Sequence, residues 1–199
     1  AGALGGEISV WESLRGAVFT VISIASTTGY ATVDYEQWPV AVYFILLLLM
    51  LVGGCAGSTA GGMKVSRLIL LVRAAWQEVV KAFRPKQVLG MKVNDNSIDD
   101  EARAQTVLFV ALFGLISLVS MVVVAVVEMT QGIDFNTTVS AVLATFGNIG
   151  PGYGEVGPTD HYGHFQPVTQ LFLSLLMIMG RLELYAVLVL FVPTVWKKY

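Results

Sequence analysis

The sequence predicts an all-α membrane protein, and three observations carry that prediction. The first is composition: of 199 residues, 55% are hydrophobic and only 13% are charged, against about 25% charged in an ordinary soluble domain. The second is residues 107–127, VLFVALFGLISLVSMVVVAVV, an uncharged run long enough for one helix to cross the hydrocarbon core. The third is an internal repeat in which a short helix, a glycine-bearing turn and a long apolar helix follow one another twice. A net charge of -2 gives no case for a nucleic-acid partner. The single cysteine, Cys55, excludes an intrachain disulfide. Residues 1–12 lack a basic n-region and an apolar core, so they do not read as a signal peptide. The chain opens on Ala1, and the sequence is expected to start inside a longer protein.

The first copy of the repeat begins at Ser9-Val10-Trp11-Glu12, which fits a capping box and opens an apolar-rich stretch to Ala25. The turn Ser26-Thr27-Thr28-Gly29-Tyr30 follows, then a polar stretch, Pro39 and the apolar run 40–52. Thirteen helical residues rise roughly 20 Å, short of a hydrocarbon core of roughly 30 Å. The next ten residues are Gly53-Gly54-Cys55-Ala56-Gly57-Ser58-Thr59-Ala60-Gly61-Gly62, and an apolar run resumes at Leu68–Val72. The glycine segment therefore falls inside the membrane. Non-helical backbone at that depth must be buried in protein or line a water-filled cavity.

The second copy has the span 107–127 in front of it, which the first copy lacks. Asn136 is expected to N-cap the stretch Thr137–Phe146. Gly147-Asn148-Ile149-Gly150-Pro151 makes the turn, and 167–192, with Arg181 and Glu183 inside it, makes the long helix. Matched by eye, Gly29-Tyr30 pairs with Gly152-Tyr153.

Charge assigns the sides. Lys64, Arg67, Arg73, Lys81, Arg84, Lys86 and Lys92 are opposed between Met63 and Lys92 only by Glu78, and Lys197 and Lys198 close the chain. Segments 31–39 and 128–166 carry Asp34, Glu36, Glu128, Asp134, Glu155 and Asp160 without a lysine or arginine. The positive-inside rule puts 63–106 and the C-terminus in the cytoplasm. Both glycine turns then re-enter from outside. Such a turn suits cation selection, because glycine lets successive carbonyl oxygens aim at one axis and carbonyl rings can replace the hydration shell of potassium. The C-terminus of the short helix adds partial negative charge there.

Other chemistries fit less well. Gly57–Gly62 followed by Met63-Lys64 is similar to a phosphate-binding loop, but the lysine is one place late and no strand precedes it. An intramembrane serine hydrolase could use Ser58, yet His161 and His164 fall on the outer side, so no base reaches it. No catalytic residue is assigned. Cys55, Met177 and Met179 read as packing residues.

Four motifs in order carry a family resemblance: Ser26–Tyr30, the broken helix with GGCAGSTAGGMK, Phe146–Pro151, and Gly180-Arg181-Leu182-Glu183-Leu184-Tyr185. Together they resemble the Trk/Ktr/HKT superfamily of potassium transporters, most nearly the C-terminal half of a bacterial Trk-type potassium uptake membrane subunit. The resemblance implies a potassium-channel-like pore of four linked units, each helix–pore helix–filter–helix. Residues 1–92 would be the third unit without its first helix, 93–106 a cytoplasmic linker, and 107–199 the fourth unit. It implies potassium as transported ion, with no covalent cofactor. The ion would be held by Thr27, Thr28, Gly29 and Tyr30 and by Asn148, Ile149, Gly150 and Pro151; the family pattern puts the last filter glycine at Gly150, with Gly152 and Gly154 in reserve. The segment Gly53–Gly62 and Arg181 would form the gate. Implied partners are the missing N-terminal half, a second copy in a homodimer, a cytosolic nucleotide-binding regulatory subunit and the lipid bilayer, in a bacterial inner membrane. A potassium channel assembled from separate two-helix chains is the alternative.

Overall fold

A computed structural model of the chain describes residues 10–55, 57–58, 60–84, 92–93, 96–97, 100–182 and 189. Among these the chain is mostly helical. Six α-helices, α1 (Val10–Ala25), α2 (Val40–Leu51), α3 (Val65–Phe83), α4 (Asp100–Val127), α5 (Phe135–Phe146) and α6 (Pro167–Arg181), are joined by short 3-10 turns and two small pairs of strands. Ser9 lies outside the described residues, as do Glu183 and the rest of 167–192 beyond Leu182 apart from Val189.

The uncharged run lies within α4, whose 28 residues are ample for a span. The helix starts at Asp100-Glu101, inside the stretch read as a linker; acidic residues suit the positive end of a helix dipole. Within 92–97, Lys92–Val93 and Asn96–Ser97 form a small antiparallel pair.

α5 differs from the sequence expectation at its start. The cap is Asp134, not Asn136: the Asp134 carboxylate accepts the Asn136 N–H at 3.3 Å, and the helix begins at Phe135. A carboxylate serves the first-turn amides better than a neutral amide, since it adds charge to the hydrogen bond. Every side chain from Ser140 to Phe146 is buried, because α5 packs against α2, α4 and α6. Phe113 of α4 stacks on Phe146 with centroids 4.2 Å apart and planes at 10°.

α1 is the counterpart of α5 but is far less covered. Only Gly16, Thr20, Ser23 and Ile24 are buried, while Trp11, Leu14, Val18 and Ile22 stand exposed. α1 packs on α2.

α2 ends where predicted. After Leu51 the backbone becomes extended, and Val52–Gly53 pairs in parallel with Met63–Lys64. The glycine segment is thus a loop pinned at its neck, with α3 starting at once beyond it. The Val65 N–H donates to Gly54 O at 3.3 Å. Among the described residues, the gap between α2 and α3 is non-helical backbone.

Candidate functional site

The two glycine turns share one backbone geometry. In the first, the N–H groups of Ser26, Thr27, Thr28 and Gly29 donate to the carbonyls of Ile22, Ile24, Ser23 and Ser23; in the second, those of Gly147, Asn148, Ile149 and Gly150 donate to Leu143, Thr145, Ala144 and Ala144. Thr27 and Asn148 take left-handed φ values of 55° and 56°, and Gly29 and Gly150 follow at 77° and 108°. Position for position, Gly29 therefore corresponds to Gly150, not to Gly152 as the match by eye had it. The reason is that the turn register is set by hydrogen bonds back into the helix, which a Gly-Tyr dipeptide does not report.

The turns lie side by side. A Cβ on Gly29 would fall under 3.0 Å from the Ile149 carbonyl oxygen, and Pro151 Cδ is 3.2 Å away. Only glycine fits there, on space and on φ alike. Tyr30 O accepts from Ser23 Oγ at 2.7 Å, and the Tyr30 side chain is exposed.

Three other elements close on the second turn. Asn148 Nδ2 donates to Met177 O of α6 at 2.9 Å. A Cβ on Gly180 would clash with Phe146 O, and one on Gly61 would fall 2.6 Å from Gly147 O. Gly147 itself has Met50 O of α2 at 2.9 Å from where a Cβ would sit. Gly61, Gly147 and Gly180 thus let the glycine loop, the turn and α6 meet backbone to backbone.

Beside this contact is a cavity of about 40 Å³ whose lining includes Ser58, Ala60, Gly62, Lys64, Arg67 and Arg181. Arg181 is the last residue of α6 and is exposed. Lys64 Nζ donates to Ser58 O at 3.2 Å, so a lysine holds a loop carbonyl. Ser58 Oγ is buried, with no hydrogen-bond partner among the described residues. Cys55 is exposed. Ala56 and Thr59 lie outside the described residues.

On the opposite side, Tyr35 Oη donates to Gly152 O at 2.9 Å, and the Gly154 N–H donates to the Glu36 carboxylate. Burial pushes the Glu36 carboxyl upward, and the Gly154 hydrogen bond opposes that shift. Tyr162 Oη donates to Gly150 O at 2.6 Å. Burial raises the phenol pKa of both Tyr35 and Tyr162, so each stays a donor. Asp134, Glu155, Asp160, His161 and His164 line a second recess, where His164 Nε2 lies 3.3 Å from Glu155. None of these tyrosines was singled out from the sequence, because the contacts join positions 12 or more apart and leave no local pattern.

Residues 4–198 match the family model described as TrkH, cation transport protein. The chain belongs to the TrkH family. Among TrkH-family relatives it is 37% identical over 200 residues to "Trk system potassium uptake protein TrkH" of Halomonas elongata, covering 96% of this chain and 40% of that protein. It is 33% identical over 190 residues to the protein of the same name from Escherichia coli (strain K12), covering 96% of this chain and 38% of that one. The solved structure "Crystal Structure of the Potassium Transporter TrkH from Vibrio parahaemolyticus" superposes with a TM-score of 0.85 at 33% identity, covering 96% of this chain and 40% of that chain. The chain thus spans about 40% of the length of the TrkH relatives it matches.

Proposed function

We propose that this chain is the third and fourth pore units of a potassium uptake protein in a bacterial inner membrane. Residues 1–92 form the third unit, 93–106 the link, and 107–199 the fourth. Together with an N-terminal half they enclose one pore in helix–pore helix–filter–helix units. Potassium is bound by backbone at Thr27–Tyr30 and Asn148–Pro151. The observation that carries this reading is the matched pair of turns, identical in hydrogen bonding and adjacent at Gly29 and Ile149. One irregular turn fits any helix ending; two copies of it in contact define a shared axis.

Gly53–Gly62 and Arg181 act as the gate. The loop is held at its neck by the β1–β2 pairing, where β1 is Val52–Gly53 and β2 is Met63–Lys64. Its glycines abut the second turn, so a change of loop shape changes the path below the filter. The protein works as a homodimer with a cytosolic nucleotide-binding regulatory subunit. The basic segment 63–106 faces that side.

The test is Gly29→Ser in the full-length protein, with potassium and sodium fluxes measured in vesicles. A side chain there displaces the Ile149 carbonyl. Preference for potassium over sodium should fall about tenfold, the equivalent of about 1.4 kcal/mol lost at one ligand. Unchanged selectivity at normal insertion removes Gly29 from the filter.

A further inference from the structure

The two turns share a backbone but are not held in the same way. At the first, Gly29 is walled in by the Ile149 carbonyl and Pro151, and the next carbonyl, Tyr30 O, is tied by Ser23 Oγ. At the second, nothing among the described residues lies within 4 Å of a Cβ built on Gly150. The peptide that follows Gly150 also has no N–H, because its nitrogen belongs to Pro151. No amide hydrogen bond can fix that peptide plane, and the packing it has is through the Pro151 ring, whose Cδ sits beside Gly29. Its carbonyl oxygen is the one polar handle it has, and the Tyr162 hydroxyl holds it at 2.6 Å.

We propose that Tyr162 is a positioning residue for ion selection: its hydroxyl sets the orientation of the Gly150 carbonyl. This rests on the filter reading above. A carbonyl oxygen has two lone pairs. One can serve the tyrosine while the other faces an ion. A carbonyl free to rotate adapts its distance to sodium as readily as to potassium, whereas a held one keeps the ligand number and field that favour one ion.

Tyr162 is itself well placed for the task. It opens a 3-10 turn capped by His161, whose Nδ1 accepts the Gly163 N–H at 3.1 Å. The Tyr162 carbonyl accepts the Phe165 N–H and Gln170 Nε2, each at 3.3 Å. Its ring packs on Phe165 with centroids 5.9 Å apart. The hydroxyl is thus carried on a stiff support anchored to α6. Tyr35 supplies an internal comparison: it makes the same kind of hydroxyl-to-carbonyl bond, to Gly152, two residues beyond the turn.

The experiment compares Tyr162→Phe and Tyr35→Phe with wild type in the full-length transporter, as potassium-to-sodium flux ratios in proteoliposomes normalised to inserted protein. Tyr162→Phe should lower the ratio about three- to fivefold, the scale of one lost neutral hydrogen bond, while Tyr35→Phe leaves it unchanged. A wild type that does not prefer potassium overturns the underlying transport reading. A selective wild type with an unchanged Tyr162→Phe ratio overturns the positioning role alone. A ratio that moves with Tyr35→Phe instead would place the filter glycine at Gly152 and also overturn it. If Tyr162→Phe does not insert, Gln170→Met decides: it loosens the turn that carries Tyr162 without touching the hydroxyl. A smaller fall in the same ratio supports the role, and no change overturns it.

Discussion

Arg181 is the residue whose chemistry is most at odds with cation passage. It closes α6 and lines the small cavity beside the glycine loop together with Lys64 and Arg67. A guanidinium stays charged at any physiological pH. A unit charge about 8 Å from a passing cation costs about 2 kcal/mol at an effective dielectric of about 20. Arg181→Ala should therefore raise potassium flux, by up to about thirtyfold per inserted molecule, and Arg181→Lys should be intermediate. Vesicle flux normalised to inserted protein measures it. A well-folded Arg181→Ala protein no faster than wild type makes the residue structural. The sequence exposed Arg181 because a charge in an apolar run stands out. It did not expose Lys64, which looks like one more member of a basic segment yet is the side chain that grips Ser58 O.

At the scale of elements, the proposed gate rests on the glycine loop. Its neck is fixed by two residue pairs, Val52 with Met63 and Gly53 with Lys64, and Gly57 and Gly62 take positive φ. Glycine-rich backbone has little intrinsic order, so alternatives lie close in energy. Deleting residues 56–58 leaves the neck intact and should raise flux several-fold while weakening regulation. Wild-type flux in that deletion would count against a gate. The helices and the break between α2 and α3 were legible because apolar runs and glycines are local signals. Helix starts were less so: Asp134 and Asn136 are both competent caps, and only the fold decides which carboxylate or amide meets the free N–H groups. Why α1 is exposed and α5 buried was not legible as packing, because it depends on which helices cover each one.

At the scale of the molecule, the acidic segments 31–39 and 128–166 and the basic residues of 63–92 predict a direction across the membrane. In a Cys55→Ala background, Asp160→Cys should react with an impermeant thiol reagent on intact cells, and Glu78→Cys only after permeabilisation. The reverse pattern would invert the topology. Contacts such as Tyr35 to Gly152 and Glu36 to Gly154 clasp one repeat to the other. No spacing rule could foresee them, since each partner lies in a loop over a hundred residues from the other. The two long helices, though, are fastened unequally. At its N-terminal end α6 is secured by Glu128, whose carboxylate accepts the Gln166 N–H at 2.9 Å, and near its C-terminal end by Asn148 gripping Met177 O. α2 is fastened differently: after Leu51 it runs straight into the Val52–Gly53 strand, which Met63–Lys64 holds. If the loop is the gate proposed above, the two copies of the repeat divide the labour, one as a braced wall and the other as the carrier of the part that moves against it.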